Sequence, residues 1–181
     1  MPATHAAAMA PSQVAYAGVR APRGWLGVAF VGVWLYFIAK IMELYPERLA
    51  DSAQVGRGEA LQMLAIIAGL ASILFFSGLV SALWRANLAA GLSPASVRGL
   101  VFGSAGVGVL VVFESARLLD WVGMKVDALR SLLLAVEIGD IAGNALAFAG
   151  LAFLVVGLAE AAGIFGRAEP EVPRAAPEET S

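Results

Sequence analysis

From Ala60 to Trp84 the chain runs for 25 residues without a charged side chain, and no other feature limits its folding choices as much. A hydrocarbon core about 30 Å thick takes about 20 helical residues to cross, so this segment can span a bilayer by itself. Three more uncharged runs cover 24–39, 99–113 and 141–159. The last of them nearly spans unaided. The runs at 24–39 and 99–113 hold 16 and 15 residues and reach only about 24 and 22 Å at about 1.5 Å per residue. Their helices must therefore continue through the next charged residues. None of the runs alternates polar with apolar residues, which excludes a closed barrel, whereas a helix satisfies its backbone internally. The sequence predicts an all-α membrane protein, a four-transmembrane-helix bundle with helices at about 24–45, 60–84, 98–120 and 130–165.

Composition supports the same class. Hydrophobic residues make up 60% of the 181 residues, charged residues 14%, and mean hydropathy is +0.80; soluble domains carry roughly 25% charged residues. The chain has no cysteine and one histidine, His5, which excludes disulfides, thiolate metal sites, cysteine catalysis and the usual haem or zinc ligation. No cofactor and no metal are expected. A net charge of −2 argues against a nucleic-acid partner. Ser104 within Gly103–Gly106 has no membrane histidine to activate it, and no other nucleophile and base can be named together, so the chain does not read as an enzyme.

Residues 1–23 are rich in Ala and Pro, and residues 167–181 are rich in Pro and Glu. Both are expected to be disordered tails around a 24–166 transmembrane domain. The N-terminal segment lacks the basic start and short apolar stretch of a cleaved signal. The connections Leu44–Gly58 and Asn87–Ser96, which contain Pro46, Gly91 and Pro94, read as turns. A single helix over 130–165 would reach about 54 Å, too long for one crossing, so its N-terminal part, with Arg130, Glu137 and Asp140, is expected to project from the membrane or to bend near Gly139.

Orientation rests on local charge. Arg20 and Arg23 in the N-terminal tail, and Arg85 and Arg98 around the second connection, have no acidic neighbours, whereas the opposite side mixes Arg with Glu47, Asp51, Glu59, Asp120 and Asp127. That asymmetry places both termini in the cytoplasm, with Trp25 and Trp84 at the cytoplasmic interface and Tyr45 and Trp121 at the outer one. High Ala and Gly content with short tails suggests a bacterial inner (cytoplasmic) membrane.

Two groups of residues stand out. Gly99 and Gly103 on the third helix, and Gly139 and Gly143 in a GxxxG frame on the fourth, are small-residue packing positions, because membrane helices gain from close backbone approach. They serve either contacts within the chain or a face for a second copy. The other group is charged. Lys40 lies 16 residues after Gly24 and Glu114 lies 15 after Gly99, so the two reach similar depth on helices running in the same direction. Glu43 and Arg117 follow three residues later with the signs exchanged, on the same helical faces. Glu137 and Asp140 approach this end on the fourth helix, with Asn144 one turn deeper. Pairing of Lys40 with Glu114 and of Glu43 with Arg117 is the expected structural role of this interhelical charge cluster. Its functional role would be a proton or cation site centred on Glu114.

The expected function is that of a small accessory, sensory or assembly subunit acting through helix contacts. Its partners would be the lipid bilayer and a membrane protein or second copy of the chain. The alternative is proton- or cation-coupled transport, or ion handling, at the acidic cluster.

Overall fold

The computed structural model describes residues 23–124 and 127–164. Six helices follow one another: α1 (Arg23–Glu43), α2 (Pro46–Ala53), α3 (Arg57–Ala90), α4 (Pro94–Trp121), α5 (Asp127–Leu134) and α6 (Val136–Ala161). No strand occurs among the described residues. Four of the helices, α1, α3, α4 and α6, are long and apolar enough to cross a membrane. Nearly all of the expected tails at 1–23 and 167–181 lies outside the described residues; Arg23 opens α1.

The helix ends depart from the sequence expectation where local capping, rather than charge, decides them. The second long helix is expected at 60–84 and runs over Arg57–Ala90, 34 residues. Charge marks where hydrocarbon ends, but the helix continues until its backbone groups find other partners. At its start, the Glu59 carboxylate accepts from the Gly56 N–H at 3.2 Å. At its end, Gly91 takes φ 104°, a left-handed conformation that favours glycine. The connection Asn87–Ser96 therefore shrinks to Gly91–Ser93. Ser93 then caps α4 by accepting from the Ser96 N–H at 3.1 Å, and Pro94 sits in the first turn, where its missing N–H leaves no helical bond unmade.

The connection Leu44–Gly58 is not a simple turn. It contains α2, which opens on Pro46, has Glu47 in its first turn and ends at Gln54 with φ 56°. The expected bend near Gly139 is also corrected. The long fourth segment breaks at Ala135, between α5 and α6, and Gly139 is a helical residue packed against the Phe113 ring.

These elements form two antiparallel hairpins, α1–α2–α3 and α4–α5–α6, each with an eight-residue helix between its long arms. In the first, a Cβ on Gly32 would come 2.5 Å from the Phe75 nitrogen, and one on Gly78 would come 2.6 Å from the Ala29 nitrogen. Trp25 near the start of α1 stacks under the Arg85 guanidinium at 5.6 Å, so the two helices meet along most of their length. The second hairpin is closer still. Gly99 packs on Gly150 and Leu154, Gly106 on Gly143 and Ala147, and Gly150 on Gly103, each with too little room for a methyl group. Gly103 also faces Val80 of α3. Helix α3 touches both α4 and α6, while α1 packs only on α2 and α3. The central apolar cluster of Phe76, Leu110 and Ala147 thus joins α3, α4 and α6.

A paired substitution checks this packing. Gly106→Ala places its methyl against the Ala147 backbone and should lower stability by about 3 kcal/mol. Gly108→Ala, two residues away with nothing within 4 Å, should leave thermal unfolding in detergent unchanged or slightly raised, because alanine favours a helix more than glycine.

Candidate buried carboxylate–guanidinium site

Glu114 is the one buried acid among the described residues, with 2% of its surface exposed. It lies on α4, and the spacing of three brings Arg117 onto the same face. The close α4–α6 contact then carries Asp140 alongside. Arg117 bridges the two carboxylates: Nη1 donates to Glu114 Oε1 at 2.7 Å, and Nη2 donates to Asp140 Oδ2 at 2.9 Å. This fork suits a planar guanidinium, whose donors diverge in fixed directions. The Arg117 and Asp140 side chains are 18% and 27% exposed, so the site opens outward through Asp140 and closes inward on Glu114.

Helix α3 makes room for it. Gly69 lies directly under the Glu114 carboxylate, and a Cβ there would overlap the carboxyl group. Gly69 comes ten residues after Glu59, about 15 Å along the helix axis, within the uncharged run. A carboxylate at such a place is costly unless partnered. Arg117 supplies part of that partnership. Glu114 Oε2 and Asp140 Oδ1 are buried and have no hydrogen-bond partner among the described residues.

The charge pairing expected between the first and third long helices is not made. Lys40 Nζ lies 2.9 Å from Glu43 Oε1 on its own helix, and Glu114 and Arg117 pair with each other and with Asp140. The reason is topological. Equal depth along two helices brings charges together only if the helices are neighbours, and α1 packs on α3, away from α4. Of the other residues singled out by sequence, Glu137 is exposed on α6, and Asn144 Nδ2 donates to the Asp140 backbone carbonyl at 2.7 Å. The structure brings together Glu114, Arg117 and Asp140, places Asn144 one turn away, and leaves Lys40, Glu43 and Glu137 outside.

A second polar cluster, not singled out from the sequence, lies toward the other end of the molecule. Asn87 is fully buried. Its Nδ2 donates to the backbone carbonyls of Leu83 and Leu154 at 2.9 and 3.0 Å, and its Oδ1 accepts from Ser96 Oγ at 2.6 Å. Ser93 and Ser96 hydroxyls lie 3.0 Å apart, and Gly157 provides the space for Ser96 and Asn87. The Ser93-Pro94 start of a helix was the signal available; the burial of Asn87 beside it depends on α6.

A cleft of about 290 Å³ opens between α1, α3 and α6, with Tyr36, Phe37, Phe75 and Phe148 among its walls and Asn144 at one side. Comparison of the chain with protein-family models, with curated proteins and with solved structures returns no match.

A double-mutant cycle separates the two pairings. Arg117→Leu should destabilise the protein by about 3–5 kcal/mol, because it leaves the buried Glu114 and the partly buried Asp140 without their cation. The Arg117 and Asp140 substitutions should be strongly coupled. Lys40→Ala should cost less than about 1 kcal/mol, as for other exposed pairs, and should add to Glu114→Gln without coupling to within about 0.5 kcal/mol.

Proposed function

We propose that this chain is a polytopic protein of a bacterial inner membrane, crossing four times with both termini in the cytoplasm, and that it works as a non-catalytic accessory, sensory or assembly subunit. The observation behind this reading is the one-sided attachment of α1. Held by α3 and α2 alone, α1 leaves Phe30, Trp34, Phe37, Ile38 and Ile41 at least half exposed, beside a cleft wide enough to take side chains from a further helix. Lipid tails are as apolar as such a surface, so exposure alone drives nothing. Shape does: a grooved, aromatic face offers van der Waals packing to a membrane helix that a smooth one does not.

Ion handling is the second reading, favoured by the two unpartnered carboxylate oxygens of Glu114 and Asp140. Proton or cation flux through reconstituted liposomes would support it.

Photo-crosslinking in native membranes tests the first reading. A crosslinking side chain at Phe37 should capture a membrane-protein partner or a second copy, while the same group at Val112, on the outer surface of α4, should capture lipid only. Lipid alone from both positions would overturn the contact-based role. The crossing number has its own check, free of background because the chain has no cysteine. His5→Cys and Glu178→Cys should both label from the cytoplasmic side; labelling from opposite sides would contradict four crossings.

A further inference from the structure

The two buried polar clusters differ in one respect. Around Asn87 every side-chain donor and acceptor is used, whereas Glu114 Oε2 and Asp140 Oδ1 are buried without a donor. Buried polar atoms in native proteins are nearly always partnered, so a donor is called for at this point. Arg117 already occupies Oε1 and Oδ2, and one planar guanidinium can hold both at 2.7 and 2.9 Å only if the two carboxyl groups lie side by side. The two oxygens left over therefore belong to neighbouring carboxyl groups. Two carboxylates and one guanidinium sum to a charge of −1, which a single proton cancels.

We propose that Glu114 and Asp140 form a binding site for one exchangeable proton, held between Glu114 Oε2 and Asp140 Oδ1 with Arg117 bridging the opposite oxygens. A proton from water adds to one carboxylate, and the resulting O–H donates to the other. A metal ion would have to settle beside the guanidinium, and no group of three or more His, Cys, Asp or Glu side chains comes together among the described residues. Among the described side chains, the ion pairs at this face are those of Arg117 with Glu114 and with Asp140. Helix α3 has no ionisable side chain between Glu59 and Arg85, and α1 does not pack on α4. Asp127 and Arg130 belong to α5, which packs on α4, and Lys125 lies outside the described residues.

The site loads from one end only. Asp140 is its most exposed member, with Arg117 next, while on the inner side Phe76, Leu110 and Ala147 close the core. The serines of α3 at this level bond back to their own helix, Ser72 to the Ala68 carbonyl and Ser77 to that of Ile73. No polar path leads from the triad to the Asn87 cluster among the described residues. The proton is thus bound and released without crossing, which fits a sensory subunit and shares with the ion-handling reading only the site itself.

Infrared spectroscopy of the full chain in liposomes tests this at the level of the bond. A protonated carboxyl gives a carbonyl band distinct from that of a carboxylate. One such band should be present in the wild type, shift in heavy water and disappear as pH is raised. Glu114→Gln and Asp140→Asn should each abolish it, while Glu43→Gln and Glu137→Gln should leave it intact. Glu114→Gln should still fold, since its amide can donate to Asp140 while its carbonyl accepts from Arg117. Gly69→Ala, which displaces only the far end of the Glu114 side chain, should shift the band with helicity unchanged. Absence of the band, its persistence in Asp140→Asn, or an unmoved band in Gly69→Ala would overturn the shared proton. Proton flux through the same liposomes should be absent; measurable flux that stops in Glu114→Gln would overturn one-sided loading and favour the transport reading, so the two can fail separately.

Discussion

Where α4 meets α6, two backbones touch with almost nothing between them, and the rest of the architecture follows from that contact. Gly99, Gly103 and Gly106 on one side face Gly143, Ala147 and Gly150 on the other. In hydrocarbon, where apolar surface gains nothing by hiding from lipid, such approach supplies the dispersion energy that holds helices together. The same proximity sets the reach of side chains. Only with the axes this close can the Arg117 fork on α4 meet the Asp140 carboxylate on α6 while still holding Glu114. Insertion of a methyl group between the helices would therefore disturb packing and electrostatics together. Gly69 repeats the principle on α3, with a carboxyl group rather than a backbone filling the space.

Much of this was legible in the amino-acid sequence. Uncharged runs located the four long helices, since the cost of charge in hydrocarbon is large and local. Their ends were not legible in the same way, because Arg57, Glu59 and Arg85 are charged residues within α3 that do not end it, and Gly91 and Ser93 mark the helix ends instead. The charged residues of the site could be listed, but their partners could not. Depth along a helix is a one-dimensional quantity that residue counting supplies; lateral adjacency is not. The glycine pattern held the missing information, since small residues on the third and fourth helices imply that these two touch, which brings Asp140 and not Lys40 to the Glu114 face. Asn87 shows the opposite difficulty. Next to Pro94 and Gly91 it resembles an ordinary turn residue, and only the passage of α6 beside it makes it a buried one.

The two hairpins share an order of elements, a long helix followed by one of eight residues and a second long helix, yet they are built to different tightness. Ala68–Leu79 and Ala149–Leu158 resemble each other in Gly, Ala and Leu content, but the glycines are spaced by nine in the first and seven in the second. Seven residues is close to two helical turns, so Gly150 and Gly157 stay on one stripe. Nine residues is two and a half, so Gly69 and Gly78 point to different neighbours: Gly78 to α1, Gly69 to Glu114. That divergence makes α3 the element shared by all three of its long partners.

The Asn87 cluster has a mechanical consequence. A three-residue link joins α3 to α4, and at that same end the Asn87 amide ties α3 to the Leu154 carbonyl of α6 and to Ser96 of α4. Three helices, α3, α4 and α6, are thereby tied at one end by neutral hydrogen bonds, while at the other α4 and α6 are bridged by a charged triad and joined in sequence through α5. A change of charge in the triad therefore falls at the end remote from this neutral clamp, where it bears on the Arg117 bridge between α4 and α6 rather than on the bonds that hold α3 to both.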